Sequence, residues 1–223
     1  MPRFPQSVGH KGSQKWIQKL INEKPELLDL QIRRNLNFPE DEDIKWLSPS
    51  KDDEYAEYCN QDFINLLGVK LKKVPLANFW PRRGPQWDGL GRSCSGKLFL
   101  VEAKSHIQEL ISTLQAKDQN SVRKIRRSLE ETRHFLNANP QIDWSHSFYQ
   151  YANRLAHLYL LRQNQLPAYL VFVYFINDLE MKGPTTIEEW KGAIKLLHSY
   201  WGIGRHKLQN FITEVFIDVS CLE

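Results

Sequence analysis

Residues 85–105 read PQWDGLGRSCSGKLFLVEAKS, and two strand-like segments, Gln86 to Ser93 and Lys97 to Ser105, meet there across Cys94-Ser95-Gly96. A three-residue hairpin loop ends on a left-handed residue, the conformation glycine adopts most readily, so Gly96 sets the register. Counting back along both strands from that loop brings Asp88 opposite Glu102. Side chains two apart on a strand share a face, so Glu102 and Lys104 project together while Ala103 points the other way. Two carboxylates about 5 Å apart on a largely buried sheet repel, and a raised pKa or a bound cation relieves the repulsion. A hard divalent ion does so and leaves positions open for water and phosphate oxygens. Lys104, on the same face, would hold an attacking water or offset charge on a phosphorane-like transition state. The set fits metal-assisted hydrolysis of a phosphodiester.

The tripeptide alone discriminates little, because an acidic residue stands two before a lysine at Asp43/Lys45, Glu102/Lys104, Glu180/Lys182 and Glu189/Lys191. Context separates them. Asp43 falls in a loop, Glu180 adjoins Gly183-Pro184, and Glu189 lies in a helix, where positions i and i+2 do not face each other. Only Glu102 follows a strand.

Working outward, Asp52 to Gly68 has acidic residues first, apolar Tyr55, Cys59, Phe63, Leu66 and Leu67 at helical spacing, and a glycine stop; the pattern predicts a helix. Val69 to Phe79 reads as a first strand. After the hairpin, Ile107 to Asn139 reads as a mostly helical insert and Ser147 to Arg162 as a second helix. Ala168 to Ile176 is a continuous apolar run, as in a strand covered on both faces. A helix over Ile187 to Trp201 and a strand over Phe211 to Val219 complete a mixed α/β layout. Upstream, Ser13 to Asn22 and the segment opening at Pro25 read as helices. Asn37 to Lys51, with two prolines and the acidic run Glu40 to Asp43, reads as a linker. The expected division is a helical N-terminal extension with acidic linker, 1–51, and an α/β domain, 52–223.

Composition narrows the class. Of the 223 residues, 41% are hydrophobic and 12% aromatic, enough apolar surface for a core, which excludes a disordered chain. The longest strongly apolar run, Ala168 to Ile176, is far short of the roughly 20 residues that cross a bilayer. No membrane partner is expected. Met1-Pro-Arg-Phe-Pro carries no apolar leader, and Cys59, Cys94 and Cys221 form no disulfide pattern, so free thiols and a cytoplasmic location are expected. The formal charge of +4 permits a polyanionic partner without requiring one.

The residues Asp88 and Glu102-Ala103-Lys104, with Pro85 just upstream and an acidic helix before the first strand, resemble the PD-(D/E)xK, or restriction-endonuclease-like, nuclease superfamily. The likeness covers residues 52 to about 176, whose expected order is helix, three strands, helix, strand (α-β-β-β-α-β). Two departures stand out. Gln86-Trp87 separates Pro85 from Asp88, and the helical insert precedes the second core helix. The resemblance implies Asp88 and Glu102 as ligands of Mg²⁺, for which Mn²⁺ can substitute, with the Ala103 carbonyl as a further ligand and Lys104 as the water-positioning residue. It also implies a glutamate from the first helix, Glu57, with Glu54 one turn earlier as the competitor. On the second core helix Gln150, Asn153 and Arg154 share a face. By the same resemblance Gln150 and Arg154 would contact substrate or orient the lysine; an exposed polar stripe is the plainer alternative.

Cations gather at Lys70, Lys72, Lys73, Arg82 and Arg83 and again at Arg123, Lys124, Arg126 and Arg127. If both groups line the cleft they would track a phosphate backbone, with Trp80 and Trp87 stacking on unpaired bases. Otherwise Glu130 and Glu131 pair with the second group along its helix and both tryptophans are core. The seven His show no zinc spacing, and Gly202-Ile-Gly204 lacks a phosphate-loop context. Two functions of different class follow: a metal-dependent nuclease acting on DNA, or a catalytically inactive nucleic-acid-binding or assembly module that retains the fold. Another metal hydrolase is a third. A homodimer stays open.

Overall fold

The computed structural model describes residues 3–223; Met1 and Pro2, the start of the stretch read above for a leader, lie outside it. A short strand, β1 (Arg3–Phe4), precedes helices α1 (Gly12–Glu23) and α2 (Pro25–Leu36). Pro25 is the first residue of α2, where its missing N–H has no helical partner to lose, and left-handed Asn37 ends it. Then follow β2 (Ile44–Ser48), β3 (Glu57–Tyr58), α3 (Asn60–Leu66), α4 (Leu76–Phe79), β4 (Gly89–Ser93) and β5 (Leu98–Lys104). The chain continues with α5 (Gln119–Phe135), α6 (Tyr149–Gln163), β6 (Ala168–Ile176), α7 (Ile187–Trp201) and β7 (Ile212–Asp218).

Five strands form a mixed sheet in the order β2-β4-β5-β6-β7, antiparallel through β5 and parallel from β5 onward. The hairpin has the expected register, with Gly89 opposite Val101 and Arg92 opposite Leu98. Gly96, at φ 87°, takes the left-handed place in its loop. Helices α6 and α7 carry the parallel crossovers. β6 is apolar throughout because it lies between two parallel neighbours with helices over both faces.

The alternation along β5 divides the core. Phe99, Val101 and Ala103 pack with Trp16, Leu20, Leu28 and Ile32 of α1 and α2. Leu98 and Leu100 turn to the opposite face, toward Leu155 and Leu158 of α6. Glu102 and Lys104 therefore emerge on the α6 face. That helix is buried from Tyr151 through Leu161, lying between the sheet and α5.

Four expectations need correction. Residues 37–51 are not simply a linker: they contain β2, the edge strand paired to β4, and Trp46 lies over Gly91, where a Cβ would come within 2.9 Å of the indole. Residues 12–48 thus supply one covering layer and one strand of the same sheet. Second, Val69 to Phe79 is not a strand, because β2 already occupies the free edge of β4; Val69, Leu71 and Val74 pack at the core margin and only the short α4 is regular. Third, Asp52 to Gly68 is α-helical only over Asn60–Leu66, with a 3-10 turn at Lys51–Asp53 before it. Glu54 and Tyr55 are left-handed and β3 pairs with β1, so tertiary strand pairing overrides the local helical pattern. Fourth, the insert is a 3-10 turn over Ile107–Leu110, an extended strap over 111–118 and then α5, which starts where Asp118 accepts the Ser121 N–H at 2.7 Å.

Cys59, Cys94 and Cys221 are free thiols. Among the described residues no helix is long and apolar enough to cross a membrane.

Candidate active site

Strand β5 ends at Lys104 where β4 has just begun, so the ends of the two strands open side by side beneath a cleft of about 1390 Å³. One wall is the loop 80–86, pinned where the Gly84 N–H donates to Asn60 Oδ1 at 2.8 Å. Another is the strap 111–118, which also supports α6. Phe148, left-handed before α6, provides no side-chain cap. Ser112 supplies the missing acceptors: its carbonyl receives the Tyr149 N–H at 3.1 Å and its Oγ the Gln150 N–H at 2.9 Å.

Glu57, Asp88, Glu102, Lys104, Gln150 and Arg154 all line this cleft, as does Ala103. Asp88 sits one residue before β4, and its Oδ2 accepts the Ala103 N–H at 2.7 Å, in place of a backbone acceptor. A strand residue directs its N–H and C=O to the same neighbour, so the Ala103 carbonyl also points to Asp88's side. Buried Glu102 accepts from two cations: Lys104 Nζ reaches Oε1 at 2.6 Å, and Arg154 Nε and Nη2 each reach Oε2 at 2.5 Å. Gln150 Oε1 takes a second Lys104 hydrogen bond at 3.0 Å, so the lysine is aimed from α6 as well as from β5. Arg154 is buried and held by the chain itself. It donates to Asn153 Oδ1 at 2.8 Å and to the Gln86 carbonyl at 2.7 Å, and it stacks on Trp87.

Glu57 reaches the cleft from β3 instead of from a helix. Burial raises its pKa to about 7; Arg154 works against the rise and Glu102 adds to it. Glu54 is exposed and 3.5 Å from Arg3, away from the cleft. Burial, reinforced by Glu102 and Glu57, pushes Asp88 well above the carboxylate range although Lys104 opposes it. Burial acts on Glu102 in the same direction, but Arg154 and Lys104 outweigh it and pull the group below its usual value. Lys104 is raised: burial disfavours its charge, and Glu102 and Asp88 more than offset that. Of the three carboxylates only Glu102 is held ionised, by Arg154 and Lys104; the upward shifts of Asp88 and Glu57 express a crowding of acidic groups that a bound cation would relieve.

Among the described residues, no three His, Cys, Asp or Glu side chains converge closely enough to form a metal cage by themselves. The donors present are nevertheless all hard oxygens. Asp88, Glu102 and the Ala103 carbonyl, in a cleft that Glu57 also lines, fit the mode in which Mg²⁺ is held by one or two carboxylates and keeps its waters.

Trp80 and Trp87 are buried against His157 and so are not available to stack on bases. Of the cations, Arg82 and Arg83 line the cleft, whereas Arg123, Arg126 and Arg127 line a separate groove and Lys70 a third depression. Sequence reasoning missed Ser112 and the Gln86 carbonyl. Their partners, Gln150 and Arg154, lie far along the chain, and no local pattern marks such pairs. Comparison of the chain with protein-family models, with curated proteins and with solved structures finds no match.

Proposed function

We propose that the protein is a metal-dependent nuclease of the restriction-endonuclease-like type that hydrolyses phosphodiester bonds of DNA. The observation that carries this is the meeting of Glu57, Asp88, Glu102 and Lys104 on one cleft floor at the paired ends of β4 and β5. The mixed sheet, antiparallel then parallel, is compatible with that fold. Asp88, Glu102 and the Ala103 carbonyl would hold Mg²⁺, or Mn²⁺ in its place. A bound Mg²⁺ supplies a more acidic water and a positive charge opposite the developing phosphorane. Lys104, aimed by Glu102 and Gln150, orients the attacking water or donates to a non-bridging oxygen. Arg154 keeps Glu102 ionised and in place, a positioning role. Arg82 and Arg83, exposed on the rim, meet the phosphate backbone.

One observation favours a second function, a nucleic-acid-binding or assembly module without turnover: both Glu102 carboxylate oxygens are engaged by Lys104 and Arg154. Cleavage of labelled DNA, with an RNA arm, in Mg²⁺, Mn²⁺ and EDTA separates the two. Metal-dependent cleavage that vanishes in Asp88→Asn and Lys104→Ala supports the nuclease. Salt-sensitive binding without cleavage in any metal supports the module.

A further inference from the structure

Helix α5 turns Ile125, Ser128, Leu129 and Thr132 into the core and leaves Arg123, Arg126 and Arg127 exposed on its far side. With Lys117 from the strap they line a groove of about 480 Å³ in which Glu130 is the sole carboxylate. Lys117 also lines the large cleft, so groove and cleft share an edge.

Other cations of α5 have structural partners. Lys124 donates to the Ala77 carbonyl at 2.8 Å, and Arg133 to that of Ile142 at 2.7 Å. Glu131 faces α6, where it accepts the Tyr159 O–H at 2.9 Å. In contrast, the side chains of Arg123, Arg127 and Lys117 make no hydrogen bond or ion pair among the described residues, and that of Arg126 has only Asp143, at 3.8 Å. Like charges at i and i+4, as Arg123 and Arg127 are, destabilise a helix, so this face is left with a repulsion that a polyanion relieves. The two guanidinium-bearing positions rise about 6 Å along the axis on one face of the helix, so both can meet the backbone of one strand.

We propose that this α5 face is a second, non-catalytic contact surface for nucleic acid, which holds the phosphate backbone of the strand as it leaves the cleft past Lys117. The proposal rests on the function above only in taking the occupant of the cleft to be nucleic acid. Charge complementarity and the shared edge at Lys117 argue for that occupant. It follows that substrate strands longer than the cleft bind more tightly than those confined to it.

The test is fluorescence anisotropy with the full chain in EDTA, using a short oligodeoxynucleotide that only fills the cleft and a long one that overruns it. Arg123→Ala/Arg127→Ala should weaken the long strand about tenfold and lower its slope of log affinity against log salt by about 1.4, two single-strand phosphate contacts, while the short strand is unaffected. Lys191→Ala/Lys195→Ala, on exposed α7 positions, removes the same charge and should change neither. If that control weakens binding equally, net charge alone acts and the proposal is overturned. If the α5 variant binds both strands like the parent while Arg82→Ala/Arg83→Ala weakens both, the α5 surface is wrong and the cleft still takes nucleic acid. A chain that binds neither strand but sediments with phosphatidylserine vesicles through Arg123 and Arg127 also overturns it. Long-strand binding that depends on Arg123 and Arg127, with no cleavage in any metal, leaves the proposal standing and sinks the nuclease.

Discussion

The Ala103 N–H donates to Asp88 Oδ2 at 2.7 Å, so a side chain continues the β4–β5 ladder one step beyond the last paired strand residue. Asp88 is thereby fixed relative to Glu102, and its second oxygen is left for the cleft. Asp88→Asn keeps an oxygen for that amide and removes the carboxylate a cation would bind. DNA cleavage in Mg²⁺ is expected to fall at least about a hundredfold, with the thermal midpoint little changed. Cleavage by the folded variant at the parent rate would sink the assignment.

Arg154 neutralises a buried glutamate, and such a charge left half-paired is costly. Arg154→Met should lower the unfolding free energy by about 3 kcal/mol in urea titrations. Adding Glu102→Gln to it should restore part of that loss, because the stranded charge is gone. Independent, additive losses would argue against the pair.

Ser112 caps α6 from 38 residues away. Ser112→Ala should cost about 1 kcal/mol and, by releasing Gln150 from Lys104, lower kcat more than it raises KM. Ser112→Thr, which retains the hydroxyl, should recover both. An effect on stability alone would remove Ser112 from the positioning of the lysine.

His157 is buried, donates Nδ1–H to the Asn153 carbonyl at 2.8 Å, and has its pKa pushed down to about 3 by burial. The unfolded imidazole titrates near pH 6.5. Between those values the unfolded chain binds a proton that the folded chain refuses, so stability is full above about pH 6.5 and falls as the pH drops toward 3. The limiting slope is about 1.4 kcal/mol per pH unit. Urea titrations at a series of pH values should show that slope in the parent and a flatter one in His157→Gln; equal slopes would mean the folded imidazole takes up the proton.

Gly91 has the Trp46 ring where a Cβ would stand, whereas nothing lies within 4 Å of a Cβ at Gly204. Gly91→Ala should cost about 1 to 3 kcal/mol by overpacking, and Gly204→Ala far less. Calorimetry of both variants tests whether β2 is an integral strand; a harmless Gly91→Ala would show that it is not.

Legibility along the chain followed the range of the interaction responsible. The hairpin register was readable because a three-residue loop and Gly96 determine it locally. β6 was readable from its unbroken apolar run, and α7 occupies the expected Ile187 to Trp201, where Thr186 and Glu189 form a capping box. The segment Asp52 to Tyr58 was misread because its helical spacing is real but weaker than the pairing of β3 with β1 and the Trp87 N–H bond to the Tyr58 carbonyl. Glu57 belonged to the right place on the wrong element.

The order of residues by itself therefore determined the mixed α/β class, the register that sets Asp88 beside Glu102 and Lys104, and their common face, since period-two alternation and loop geometry are local properties. Tertiary structure alone decided that β2 completes the sheet, that Glu57 reaches the cleft from a strand, that Arg154 holds Glu102 and that Ser112 caps α6. Each of these joins groups distant in sequence. Their free energy comes from burial and from satisfying polar groups only once the chain has closed around them.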